Sequence, residues 1–80
     1  MTVAAVEVQP LAVDVSFVSD MLHVELADGR AIGVPLEWFP DLEAASPKVR
    51  KNWTLIGGGL GIRWEELDED VSVESLLRLR

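Results

Sequence analysis

The eighty-residue sequence contains no cysteine, no tyrosine and only one histidine, His23. Without cysteine no disulfide can stabilise so short a chain, and one histidine cannot form a zinc site by itself. Catalysis by a serine nucleophile normally needs a base such as histidine beside it. His23 falls on the outward side of a predicted strand, where an exposed residue is the simpler interpretation. We therefore expect no catalytic residues and no enzymatic activity.

Positive charge is also scarce: seven lysines and arginines stand against fourteen aspartates and glutamates, which gives a net charge of −7. Such a chain repels the phosphate backbone of nucleic acids, so we expect no nucleic-acid partner. Three basic residues do lie close together on a predicted short helix: Lys48, Arg50 and Lys51. We expect a solvated helix face, in which Arg50 or Lys51 meets a carboxylate of the acidic block further along the chain.

Long apolar runs are missing as well, since none approaches the ~20 residues that a membrane span needs. The opening MTVAAVEVQPLAV is apolar, but Glu7 and the lack of a basic start make it a poor signal peptide. We expect a cytoplasmic protein without membrane contact. Because Pro10 marks a natural boundary, residues 1–11 are predicted to be a flexible lead-in and residues 12–80 a single small domain.

Alternation of apolar and polar residues predicts three strands in the first half of the domain. Val13, Val15 and Phe17 alternate with polar residues, and two further alternating runs cover residues 21–26 and 31–35. Each run has the period of two that places its apolar side chains on one face of a sheet.

The turn after residue 26 contains Asp28-Gly29 and has two interpretations. A two-residue turn would pair Glu25 with Ile32 and set apolar residues on both faces of the sheet. A three-residue loop, with Gly29 left-handed, pairs Val24 with Ile32 instead, and Leu22 with Val34 by the same register. We predict the three-residue loop, because it keeps the apolar residues on one face.

Prolines at positions 35, 40 and 47 divide the next segment into short pieces. Ser46 can cap a helix that begins with Pro47, so we predict one or two short helices over residues 41–52. Three large aromatic residues in this segment are predicted to anchor the core: Trp38, Phe39 and Trp53.

The stretch WTLIGGGLGIRW predicts a hairpin. Apolar residues alternate on both sides of the glycines at positions 57–59, where the chain must reverse. A phosphate loop would need Gly-Lys followed by serine or threonine, which is missing here. The dinucleotide spacing G-x-G-x-x-G also fails, because Ile62 stands where the third glycine is required.

An acidic block follows, with carboxylates at Glu65, Glu66, Asp68, Glu69 and Asp70. Its alternating oxygens loosely resemble a calcium loop, but the central glycine is missing and Leu79 occupies the place of the closing glutamate. Ser72 is a sound cap for a helix over residues 73–79. We therefore favour a helix start beside solvated charge, and we expect no metal ion and no other cofactor.

Two stretches, ADGRAIGVPLEWFPDL and SPKVRKNWTLIGGGLGIRWEELDEDVSVESLL, closely resemble a widespread family of small bacterial domains of unknown function, the one numbered twenty-four forty-two in that series. The resemblance covers residues 13–77. Members of that family look like small α+β domains, and some carry a separate helix-turn-helix domain, whose DNA-binding role we do not expect here. Others are encoded beside a second small protein, in an arrangement described as a toxin–antitoxin pair. Many relatives have histidine where this chain has Arg63, which indicates a surface position.

These observations predict an α+β fold, with one mainly antiparallel sheet of four or five strands and two or three short helices. We expect a small acidic protein-interaction module, the antitoxin-like partner of a small basic protein. Its five carboxylates at positions 65, 66, 68, 69 and 70 would steer the partner, and exposed apolar surface would add affinity. The alternatives are a small-molecule or metal-ion binding module with a cleft beside residues 38–53, and a domain that self-associates through its edge strands.

Overall fold

The computed structural model describes residues 10–78, and within that range it shows an α+β fold of six strands and three short α-helices. The strands are β1 (Ala12–Val18), β2 (Met21–Leu26), β3 (Ala31–Pro35), β4 (Trp53–Ile56), β5 (Gly61–Trp64) and β6 (Glu69–Ser72). The helices are α1 (Pro40–Ala44), α2 (Pro47–Lys51) and α3 (Val73–Arg78). Almost all of the predicted lead-in over residues 1–11 lies outside the described residues.

The first sheet is antiparallel in the order β1-β2-β3. Ser19 and Asp20 both have positive φ, +49° and +62°, which is the conformation of a two-residue type I′ turn between β1 and β2. The following hairpin pairs Val24 with Ile32, and Gly29 takes a φ of +95° in its loop. The predicted three-residue loop and its register are confirmed.

The alternation predicted for β1 is wrong at its beginning. The register shifts between Ala12 and Asp14, so the extra residue forms a β-bulge. Ala12 is buried while Val13 is 51% exposed, and the expected alternation holds from Val15 onward. A bulge adds one residue to one strand and turns the side chains that precede it to the other face.

The structure has two three-stranded sheets in place of the predicted single sheet of four or five strands. The predicted hairpin of β4 and β5 forms, with a 3-10 turn over Gly57–Gly59 between its strands. The acidic block then adds β6, because Asp68 adopts a left-handed conformation and turns the chain back along β5. Val71 is buried opposite Ile62, so apolar burial favours a strand where solvated charge was predicted.

Helices α2 and α3 begin where the capping residues predict, whereas α1 begins at Pro40 without a side-chain cap. The Ser46 hydroxyl accepts the backbone N–H of Val49 at 3.2 Å, directly before α2. The Ser72 hydroxyl accepts the backbone N–H of Ser75 at 3.0 Å, in the first turn of α3. The predicted end of that last helix, at Leu79, lies outside the described residues. Within residues 10–78, no helix has the length and apolar character that crossing a membrane would require.

A single core fills the space between the two sheets and the short helices. Its buried members are Ala12, Val15, Leu22, Val24, Leu26, Val34, Leu36, Leu42, Ile62, Trp64, Val71, Val73 and Leu76. The prediction that Trp38 anchors this core is wrong, because its side chain is 37% exposed. Phe39 and Trp53 pack against the core only in part.

Trp64, which the sequence did not single out as an anchor, is the largest fully buried side chain among the described residues. Its indole N–H donates to the backbone carbonyl of Arg50 at 2.9 Å, so the one polar atom of the ring has a partner. Its ring also meets that of Phe17 edge-on, with 6.3 Å between the centroids. Trp64 thus ties β5 to both α2 and the first sheet.

Candidate functional site

Three of the five predicted carboxylates surround one residue, Arg63. This side chain projects from the outer face of β5, directly opposite Asp70 on β6. Its guanidinium donates to Glu65 and to Asp68 at 2.8 Å each, and to Asp70 at 2.7 Å. We call this group, together with Glu66 and Glu69, the carboxylate cluster. Arg63 lies at its centre.

Arg63 and its three carboxylate partners hold one another in place. The hydrogen bonds that the Arg63 guanidinium donates to Glu65, and then to Asp68 and Asp70, raise its pKa above the ordinary value. The Arg63 side chain is 25% exposed, whereas those three carboxylates are 77%, 90% and 57% exposed. The result is a fixed cation beneath a rim of solvent-facing oxygen atoms.

The other two predicted carboxylates lie apart from Arg63. Glu66 accepts a hydrogen bond from the side-chain amide of Asn52 at 3.1 Å, at the end of α2. Glu69 is half-buried, opposite Trp64 in the ladder and next to Asp41 of α1. Burial, and then the neighbouring Asp41 charge, raises the pKa of the Glu69 carboxyl above its ordinary value of 4.5. The five carboxylates therefore form three separate arrangements and do not act as one free patch.

Arg63 is the site residue that sequence reasoning missed, apart from placing it at the surface. Its role depends on the pairing of β5 with β6, and β6 was not predicted. Part of this site could have been predicted from the sequence, because an arginine two residues before Glu65 on an extended chain can reach its carboxylate. The pairing with Asp70 needed the strand register.

The part of the chain that the structure describes contains no ready set of metal ligands. Among residues 10–78, no group of three or more histidine or carboxylate side chains is arranged to hold one. The calcium-like spacing fails locally, because Asp68 lies in a left-handed turn while Asp70 and Ser72 lie in an extended strand. Asp68 and Asp70 instead accept hydrogen bonds from the Arg63 guanidinium.

His23 lies on the outer face of the first sheet, between Ser16 and Gly33 in the strand register. It is half-buried and not fully exposed as expected. A Cβ atom added at Gly33 would lie 3.3 Å from the Cε1 atom of the imidazole, so the ring lies close over that glycine. This contact explains the partial burial of His23 as packing.

The basic helix α2 uses Arg50 in a way that the sequence did not predict. The Arg50 guanidinium donates to the carbonyls of Leu42 at 2.8 Å and Glu43 at 2.7 Å, near the end of α1. Cations at a helix C-terminus satisfy its free carbonyls and oppose the negative end of its dipole. The expected contact between Arg50 and the acidic block is therefore wrong. Within residues 10–78, Lys51 forms no ion pair with that block either.

A half-open cleft lies between β1 and α2. Its volume is about 410 Å³, and its lining consists of residues 15–17 of β1, Pro47, Arg50 and Lys51 of α2, and Trp53 of β4. The Arg50 guanidinium lies 5.8 Å from the centre of the Phe17 ring, at the inner wall. This cleft has the position that the small-ligand alternative requires, beside residues 38–53.

Two comparisons with known proteins identify relatives of this chain. The family model described as "Protein of unknown function (DUF2442)" matches residues 12–80. A crystal structure of a protein of unknown function from Rhodospirillum rubrum is similar, with a TM-score of 0.75 and 30% sequence identity over 86% of each chain. No curated protein matches the sequence. The chain belongs to the DUF2442 family of proteins of unknown function.

Proposed function

We propose that the domain is a cytoplasmic protein-interaction module without enzymatic activity, which binds a small basic protein through the carboxylate cluster. The observation that carries the proposal is the ring of exposed carboxylates fixed around Arg63. Three carboxylates around one guanidinium leave two negative charges on a small surface, and Glu66 lies exposed nearby. Lysine and arginine side chains of a partner are the groups that such a surface attracts.

Arg63 also lowers the entropic cost of binding. Free glutamate and aspartate side chains lose rotamer freedom when a partner orders them. Here Glu65, Asp68 and Asp70 are already held by the guanidinium, so less freedom remains to be lost. A partner can then replace water around oxygens whose positions are set in advance.

Exposed apolar side chains lie beside the cluster and support the second part of the proposal. Ile56 is 38% exposed, and it shares the outer face of β4 with Thr54, the residue opposite Arg63. Leu60, at the end of the same hairpin, is 47% exposed. Burial of apolar area at about 25 cal/mol per Å² supplies the affinity that exposed charge pairs do not.

The narrower form of the proposal is an antitoxin-like role, in which the bound basic protein is held inactive. It is supported by the acidic charge of the chain and by the family resemblance. A partner neutralised in this way would be toxic when expressed alone and harmless when expressed together with this protein.

The test begins with purification of the tagged protein from its native cells at low salt, followed by mass spectrometry. We expect one stoichiometric small basic protein that dissociates at about 1 M salt, where exposed charges are screened. An empty eluate from folded protein contradicts the proposal. Light scattering over a range of concentrations then shows whether the protein self-associates instead.

The recovered partner allows a matched comparison of two five-site variants. One neutralises the cluster with E65Q, E66Q, D68N, E69Q and D70N. The other removes the same charge elsewhere with D14N, E25Q, E37Q, E43Q and E74Q. We expect the first variant to associate at least about tenfold more slowly at low salt, and the second to stay close to the wild-type rate. Equal rates for both variants would show that net charge alone attracts the partner.

A further inference from the structure

The outer edge of β1 faces the cleft, and in the described part of the chain no other strand pairs with it. Among residues 10–78, β1 pairs along one side only, with β2. Val18 and Met21 flank the two-residue turn and form a hydrogen-bonded pair. Along an antiparallel ladder, hydrogen-bonded and non-hydrogen-bonded pairs then alternate. Val15 and Phe17 therefore belong to non-bonded pairs, and their N–H and C=O groups point away from β2.

The lining of the cleft agrees with this orientation. Three consecutive residues of β1, 15–17, take part in it. Side chains of consecutive strand residues point to opposite faces, so one cavity touches all three only along the strand's edge. The main chain of β1 is thus accessible from within the cleft, and a ligand there meets donors and acceptors spaced as in a sheet.

The opposite wall provides apolar surface and positive charge. Pro47 and Trp53 face the cleft, as does Phe17 from the first sheet. Among the described residues, the lining includes two cations, Arg50 and Lys51, and no carboxylate. Arg50 donates to backbone carbonyls, so its charge is not neutralised by an acidic side chain there.

We propose that the cleft binds an extended acidic segment of another protein, which adds to β1 as a further strand. The main chain of the segment would pair with Val15 and Phe17, one of its apolar side chains would lie against Trp53, and a carboxylate would approach Lys51. Strand addition of this kind takes its affinity from main-chain hydrogen bonds and its specificity from alternate side-chain pockets. The carboxylate cluster, which adjoins the cleft at Lys51 and Glu66, is proposed to take ligands of the opposite charge.

The test uses a displayed library of random seven-residue peptides, selected against the full-length protein. We expect enrichment of sequences that alternate β-branched or aromatic residues with glutamate or aspartate. In nuclear magnetic resonance with the strongest peptide, we expect the amide protons of Val15 and Phe17 to exchange about tenfold or more slowly than in the free protein. Binding without this protection, or no enrichment at all, overturns the proposal.

Two charge reversals on α2 provide the matched control. Lys51 lines the cleft, whereas Lys48 is exposed on the same helix and does not. We expect K51E to weaken the selected peptide about tenfold or more, and K48E to change its affinity by less than about threefold. Equal losses would assign the effect to net charge and contradict the proposed site. Both lysines border a second hollow together with Glu66, so any effect of that carboxylate is common to the two variants. The peptide is measured without the proposed basic partner, so the two proposals can fail separately.

Discussion

Substitution of Gly59 by alanine should destabilise the packing of the second hairpin on β1. Gly59 has a φ of +114°, which side chains of L-residues rarely adopt. A Cβ atom at this position would lie 2.6 Å from the carbonyl oxygen of Ala12 and 3.1 Å from its amide nitrogen. Both contacts are with backbone at the start of β1, so no side-chain rotation can relieve them.

The expected loss of stability follows from strain and displacement together. A left-handed conformation costs a non-glycine residue about 1–2 kcal/mol, and the φ of Gly59 lies beyond the favoured part of that region. Forcing atoms into a filled site costs a further 1–3 kcal/mol or so. We expect G59A to lower the free energy of unfolding by about 3 kcal/mol, or the melting temperature of so small a domain by roughly 12–24 °C.

Gly58 provides the matched control in the same turn. Its φ is +68°, and a Cβ added there would have no atom within 4 Å. G58A should therefore show the conformational cost alone, about 1 kcal/mol after the lower entropy of the unfolded chain is included. Urea unfolding followed by tryptophan fluorescence measures both variants. If G59A were no less stable than G58A, the close packing of the hairpin on β1 would be refuted.

Three further predictions concern the site and the core. Arg63→Met should lower the melting temperature at pH 7 and low salt, with a smaller loss in about 1 M salt; a salt-independent loss would mean that packing matters more than charge. Burial and the Asp41 charge raise the pKa of Glu69. Its favourable contribution to the free energy of unfolding is therefore fully present below pH 4.5 and is lost as the pH rises through the raised pKa. E69Q should therefore be more stable than wild type at pH 7 and equal below 4.5, as thermal unfolding at both pH values can show. Trp64→Phe leaves the Arg50 carbonyl without its donor and should cost about 2 kcal/mol in urea unfolding, whereas a cost below about 0.5 kcal/mol would contradict the contact.

The carboxylates of the candidate site could be identified from the sequence, but their arrangement could not. Five acidic residues in a block of six predict negative potential wherever the block lies. Which carboxylates pair with Arg63 depends on β6. This strand places Asp70 beside Arg63 and leaves Glu69 half-buried next to Asp41. Asp41 and Glu69 are far apart in the sequence, so no local pattern relates them.

The sequence by itself determined the features that depend on neighbours along the chain. The caps at Ser46 and Ser72, and the loop with Gly29, follow from hydrogen bonds and dihedral angles within a few residues. Only the tertiary structure decided that there are two sheets, that Trp64 is buried while Trp38 is exposed, and that β1 borders a cleft. Burial and charge pairing depend on elements that approach one another only when the chain has folded, so they could not be predicted from periodicity and capping alone.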